Sequence, residues 1–396
     1  MARLKSILLL FFLFLTNKAC SSQENIVWLN VFVHGIIKVP FYLSDYRAII
    51  NNKVEGSKYY YAAQYLRESS DFYLNQPMQE ICLHKIDLDG KYESYKGNGA
   101  LAVSLIHEEQ YKELSHEKNI YYTFGWSGLL SRLHREEEAK DLYCELKEEV
   151  NRLRQGGFHP KVRIIAWSHG GNLSLNMANV ICDNKYDFYV DELIMLGTPI
   201  QKETDVLTDS PLFKKIYNFY SMSDVAQKVD WISTQYLFCH RRFLDRRDFC
   251  VPDKIVQIQT RVTNTEFDCK GRIKRAYHMD PKHNELWKFN WVDSKQYRNK
   301  FPLCPFPFVA FIPTIINTIN TCCSTSNNLI LDLKPALGLM SLEDFDCKDQ
   351  YIFPFMCCEE MEEFQQLVDY LEPCYFTKKD KAALVKNAML YAVEQI

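Results

Sequence analysis

Ser168 is the residue whose setting most directly suggests chemistry. It stands in the run Ala166-Trp167-Ser168-His169-Gly170-Gly171-Asn172, one position after an apolar stretch and just before two adjacent glycines. A serine hydroxyl is a poor nucleophile at neutral pH, so it needs a base with a pKa near 6.5 within hydrogen-bond reach. Small residues on both sides let a strand turn sharply into a helix. Such a turn lifts one side chain above the carboxyl edge of a sheet, with the helix N-terminus behind it to favour developing negative charge. The pattern departs from Gly-x-Ser-x-Gly only in its first position, and Ala166 is small enough for the same close approach. Acyl transfer of this kind needs no cofactor and no metal. The sequence supports no metal site either, because it has no Cys-x-x-Cys pair and its two Cys-Cys dipeptides lack zinc-site spacing.

The flanking elements fit that geometry. Val162–Ala166 reads as a strand before the serine, and Leu173, Met177, Val180 and Ile181 lie on one side of a helix after it. Further strands are read at Ile26–Val33, Ile81–Ile86, Ile120–Phe124, Leu193–Leu196, Ile216–Tyr220 and Ile255–Val262. Between the third and fourth of these in chain order, Leu142, Tyr143, Leu146, Val150 and Leu153 form one helix face, ended by Gly156-Gly157. Strands alternating with helices predict βαβ units and a mostly parallel central sheet flanked by helices, an α/β fold.

Composition sets the outer bounds. The chain has 396 residues, 47% of them apolar, with 47 Lys+Arg against 50 Asp+Glu and a net charge of −3. A near-balanced charge argues against a nucleic-acid binder, which carries a basic excess. Arg3 and Lys5, the apolar run Ile7–Leu15 and the small residues Ala19, Cys20, Ser21 and Ser22 predict a signal peptide over 1–21. The expected localisation is therefore secreted or periplasmic. Ten of the 14 cysteines lie at or beyond Cys239, so export predicts a disulfide-stapled C-terminal third. Residues 22–300 are read as the sheet domain and 301–396 as a Cys-rich C-terminal extension or cap. Phe301–Ile316 carries four prolines, which exclude a membrane-spanning helix there and leave a lid or a packed loop.

The elbow Ser168-His169-Gly170-Gly171-Asn172 resembles the α/β-hydrolase superfamily, in its lipase and esterase branch, and the resemblance covers roughly residues 26–292. Val33-His34-Gly35 is similar to the family's turn after an early strand, and Leu196-Gly197-Thr198-Pro199 to the end of the strand after the elbow helix. Carried over, the resemblance implies Ser168 as nucleophile, Asp224 as acid and His283 as base, in the family's order. It also implies oxyanion donors at the His169 and Ile36 amides. Asp230 and Asp205 compete with Asp224, and His278 with His283. His34 is read as orienting its turn, and Trp126-Ser127-Gly128 as pocket lining or core. The basic run Arg241, Arg242, Arg246, Arg247 is a solvated loop or a contact to anionic lipid. The expected function is a secreted serine hydrolase acting on an acyl-ester or lipid substrate, with peripheral membrane contact and no nucleic acid. A peptidase or acyltransferase using the same residues, and a non-catalytic binding protein on the same fold, are the alternatives.

Overall fold

The computed structural model describes residues 25–39, 46–69, 76–89, 98–115, 117–180, 185–230, 233–236, 238–278, 280–288, 308–322, 326–334, 337–346, 348–354 and 378–396. The signal-peptide segment lies outside the described residues. The strands are β1 (Ile26–Val33), β2 (Cys82–Lys85), β3 (Lys118–Gly125), β4 (His159–Trp167), β5 (Val190–Leu196), β6 (Phe213–Tyr220), β7 (Ile255–Phe267), β8 (Ile273–His278), β9 (Asn328–Lys334), β10 (Leu339–Asp344) and β11 (Gln350–Pro354). Their order is β11-β10-β9-β7-β6-β5-β4-β1-β3-β2, with β8 folded back on β7. From β9 to β3 every neighbouring pair is parallel, and the outer pairs are antiparallel.

The helices are α1 (Tyr46–Ile50), α2 (Lys58–Glu68), α3 (Asn98–Leu114), α4 (Arg132–Gln155), α5 (His169–Asn176), α6 (Lys202–Asp205), α7 (Ala226–Val229), α8 (Ile312–Cys322) and α9 (Lys378–Glu394). The central strands are predominantly apolar because both faces are covered, and alternate residues divide between two cores. Val31, Ile164, Leu193 and Ile216 pack with Leu142, Leu146, Val150 and Leu153 of α4. Their neighbours Phe32, Ile165, Ile194 and Tyr217 pack with Val103 and Tyr111 of α3 and with Ile312, Ile315, Ile316 and Ile319 of α8.

Residue 300 does not separate a sheet domain from an appendage. β9 pairs in parallel with β7, and β10 and β11 extend the same sheet. The prolines of 301–316 do not keep that whole stretch irregular either. Pro313 is the second residue of α8, a position where its fixed φ and missing N–H are tolerated. Phe308, Val309, Phe311 and Ile312 are buried, so this part is core and not a lid. The described part of the C-terminal tail is α9, whose Leu384, Ala388 and Ala392 pack with Ala62, Ala63 and Leu66 of α2. Among the described residues no helix is long and apolar enough to cross a membrane. The described cysteines Cys82, Cys144, Cys239, Cys250, Cys269 and Cys322 are free thiols, and the other eight lie outside the described residues.

Candidate active site

β4 ends at Trp167 and α5 begins at His169, so Ser168 is the whole turn. Its φ of 53° and ψ of −129° place a non-glycine residue in a sparsely populated region, at a cost of roughly 1–3 kcal/mol. The surroundings impose it. Ser168 N–H donates to Leu196 O at 2.9 Å, and Gly171 N–H donates to Ser168 O at 3.0 Å. A Cβ on Gly170 would lie 2.5 Å from His34 O, and one on Gly35 would lie 2.7 Å from Ser168 Cβ. Neither position has room for a side chain. The backbone of residues 33–35 is thus pressed against the elbow, and the Ile36 and His169 amides sit on the two segments that meet there. His169 is the first residue of α5, so its N–H has no intrahelical acceptor.

The structure brings Ser168, His283 and Asp224 together. His283 Nε2 lies 2.9 Å from Ser168 Oγ, and His283 Nδ1 lies 2.7 Å from Asp224 Oδ2. An ionised carboxylate only accepts, so Nδ1 donates and Nε2 is left to accept the serine proton. Asp224 is fully buried in the loop after β6, and its other oxygen accepts the Gln227 N–H at 3.2 Å. Gly197, at φ +62°, passes beside both partners; a Cβ there would lie 3.1 Å from Asp224 Oδ2 and 3.3 Å from His283 Nδ1. His283 opens a short 3₁₀ turn and is clamped by Trp167, which the sequence placed in the motif without a role. The indole Nε1–H donates to His283 O at 3.1 Å, while the two rings lie 5.0 Å apart. Trp287 stacks on Trp167 at an interplanar angle of 6°.

The rival residues go elsewhere. Asp205 pairs with Arg246, with Arg246 Nη2 at 2.8 Å from Oδ1. His278 lies on β8 with its Nδ1 2.9 Å from Thr263 Oγ1. Asp230 pairs with His169 at 2.7 Å. The basic run is partly structural: Arg246 holds Asp205 and Asp248, and Arg241 Nε–H donates to Asp224 O at 2.9 Å.

His34 is buried and orients the turn. Its Nδ1–H donates to Gly35 O at 2.6 Å, and its Nε2 accepts the Trp126 N–H at 3.2 Å. Burial, with Arg67 as a further cause, pushes its imidazole well below the usual histidine range, so it stays neutral. Trp126 is core: it stacks on His34 with ring centres 5.5 Å apart and donates its Nε1–H to His34 O at 2.7 Å. Gly128 O accepts the Ile37 N–H at 2.8 Å, fastening the same turn one residue further on. Glu138 of α4 accepts the Ser127 N–H at 2.8 Å and its hydroxyl at 3.0 Å, and burial raises the Glu138 carboxyl to about 7. Among the described residues no cluster of His, Cys, Asp or Glu could hold a metal ion. Chemically, the arrangement couples a hydroxyl to an imidazole and the imidazole to a buried carboxylate. No protein-family model matches the sequence, and no curated protein matches it.

Proposed function

We propose that this chain is a serine hydrolase that cleaves carboxylic esters through an acyl-enzyme, on an α/β-hydrolase fold. The observation that carries the reading is the unbroken hydrogen-bonded line from Ser168 Oγ through His283 to Asp224, at 2.9 and 2.7 Å, across three separate loops. His283 Nε2 takes the proton as Ser168 Oγ attacks the ester carbonyl, and returns it to the departing alkoxide. Asp224 holds the imidazole's tautomer and stabilises its charged form. The His169 and Ile36 amides receive the oxyanion, each donor worth roughly 10²–10³ in rate. Water then attacks the acyl-serine with His283 as base. Met222 and Val225 flank the acid and are exposed, as are Tyr236 and Phe238 further along the same segment. Apolar side chains beside the acid favour an apolar acyl ester, such as a lipid, over a polar substrate. Export by the 1–21 segment, with a site outside the cytoplasm, is part of the same proposal.

A fluorophosphonate probe tests the reading. Wild type is expected to be labelled covalently and to hydrolyse p-nitrophenyl esters, and Ser168→Ala to do neither. Unlabelled wild type, or equal labelling of Ser168→Ala, overturns it.

A further inference from the structure

Asp230 is fully engaged without touching the nucleophile or its base. Its Oδ2 accepts the His169 Nε2–H at 2.7 Å and the Gln201 Nε2–H at 3.1 Å, and the Ser233 hydroxyl reaches both oxygens at 2.8 and 2.9 Å. On the opposite side of the ring, His169 Nδ1 faces the Asn172 amide nitrogen at 3.3 Å. That nitrogen can only donate, so Nδ1 accepts and the ring's one proton sits on Nε2. Asn172 is fixed in turn, donating to Pro199 O at 2.9 Å and accepting the Thr204 hydroxyl at 2.7 Å. Arg135, buried on the inner face of α4, donates to Ser233 O at 3.0 Å and brings a positive charge to the cluster. Burial lowers the His169 pKa and keeps the ring neutral. Burial also works to raise the Asp230 carboxyl, but His169, Arg135 and Ser233 outweigh it and hold it below the usual range.

Both nitrogens of His169 are therefore gripped, by Asp230 and by Asn172, at the residue that follows Ser168 and whose backbone N–H has no intrahelical acceptor. We propose that His169 and Asp230 form a second buried imidazole–carboxylate pair that takes no part in proton transfer and instead fixes the His169 amide as an oxyanion donor. The inference rests on the hydrolase reading above. An oxyanion donor acts only if held 2.7–3.1 Å from the oxygen of the tetrahedral adduct, and a small misplacement is expensive in rate. His169 and Asp230 are positioning residues.

The test compares Asp230→Asn and Ser233→Ala with wild type. In Asp230→Asn, kcat on a p-nitrophenyl ester is expected to fall about 10- to 100-fold with KM within about threefold. Affinity for a trifluoromethyl ketone, which forms a tetrahedral adduct on Ser168, is expected to fall by the same factor. The imidazole proton signal of His169 is expected to vanish from the NMR spectrum while that of His283 persists. Ser233→Ala, which removes one donor only, is expected to lose about two- to fivefold in both kcat and ketone affinity. A folded Asp230→Asn with unchanged kcat and ketone affinity overturns the proposal, as does a loss confined to KM. Should Asp230→Asn not fold, unchanged ketone affinity in Ser233→Ala overturns it. Wild type that fluorophosphonate does not label removes the hydrolase reading itself; wild type labelled and active, with unaltered variants, removes only this proposal.

Discussion

Gly35→Ala adds one methyl group and places it where the turn meets Ser168. The new Cβ would lie 2.7 Å from Ser168 Cβ and 2.8 Å from Trp167 Cε3, whereas ordinary contact begins at 3.4 Å. The turn or the elbow must therefore give way by ~0.7 Å, and neither faces a flexible side-chain end that could swing aside. Overpacking of this kind costs roughly 1–3 kcal/mol of stability. The larger effect is geometric, since the displaced backbone carries the Ile36 amide on one side and Ser168 on the other. Misplacement approaching 1 Å lowers rate by up to about 10²-fold, so kcat on a p-nitrophenyl ester should fall about 10- to 100-fold, with fluorophosphonate labelling slowed to match. Circular dichroism and thermal melting on the same preparations separate a shifted site from an unfolded one. A Gly35→Ala protein with wild-type melting and wild-type kcat would refute the packing of this turn against Ser168.

Three further outcomes follow from particular contacts. Glu138 holds a proton in the fold up to about pH 7 that the unfolded chain releases near 4.5, so its contribution is present below pH 4.5 and is lost as pH rises to 7, by about 3 kcal/mol. Thermal melting of wild type should decline between pH 5 and 7 relative to Glu138→Gln; a parallel pair of curves would contradict this. Arg246→Ala strands the Asp205 carboxylate, which is 3% exposed, and should cost about 1–3 kcal/mol, largely restored in Arg246→Ala/Asp205→Asn; equal melting of all three would show the pair to be idle. A chain ending at residue 300 loses β9 from the edge of β7 together with the α8 isoleucines, and should be insoluble or unlabelled by fluorophosphonate; a soluble, fully labelled fragment would show residues 301–396 to be dispensable to the sheet.

The alternating strands and helices are legible because buried parallel strands are mostly apolar and α4 keeps a regular apolar face. Ser168 was legible through its small neighbours, whose necessity shows in the contacts a Cβ would make at Gly170 and Gly35. Asp224 and His283 follow only from the family resemblance and their places after two strands; nothing in their own neighbourhoods separates them from Asp230 or His278, because what distinguishes them is where loops far apart in sequence converge. Arg135 carried an overlooked signal. It lies four residues before buried Ala139 and seven before Leu142, on the apolar face of α4, where a solvated charge would not sit. The placement of residues 308–354 was obscured by their prolines and by β9 pairing with β7, a partner far back in the chain. Arg163 breaks the apolar pattern of β4 yet is buried, because Glu192 neutralises it and the Trp28 ring lies 4.1 Å from its guanidinium carbon.

The separation of 115 positions between Ser168 and His283 has a kinetic consequence. No local stretch of chain holds even two of Ser168, Asp224 and His283, so on the proposed hydrolase reading a partly folded molecule, however rich in helix, has nothing with which to attack a probe. Parallel pairing over such separations is slow to form. During refolding, covalent labelling should lag well behind the recovery of helical signal, and the interval between them would time the closing of the sheet.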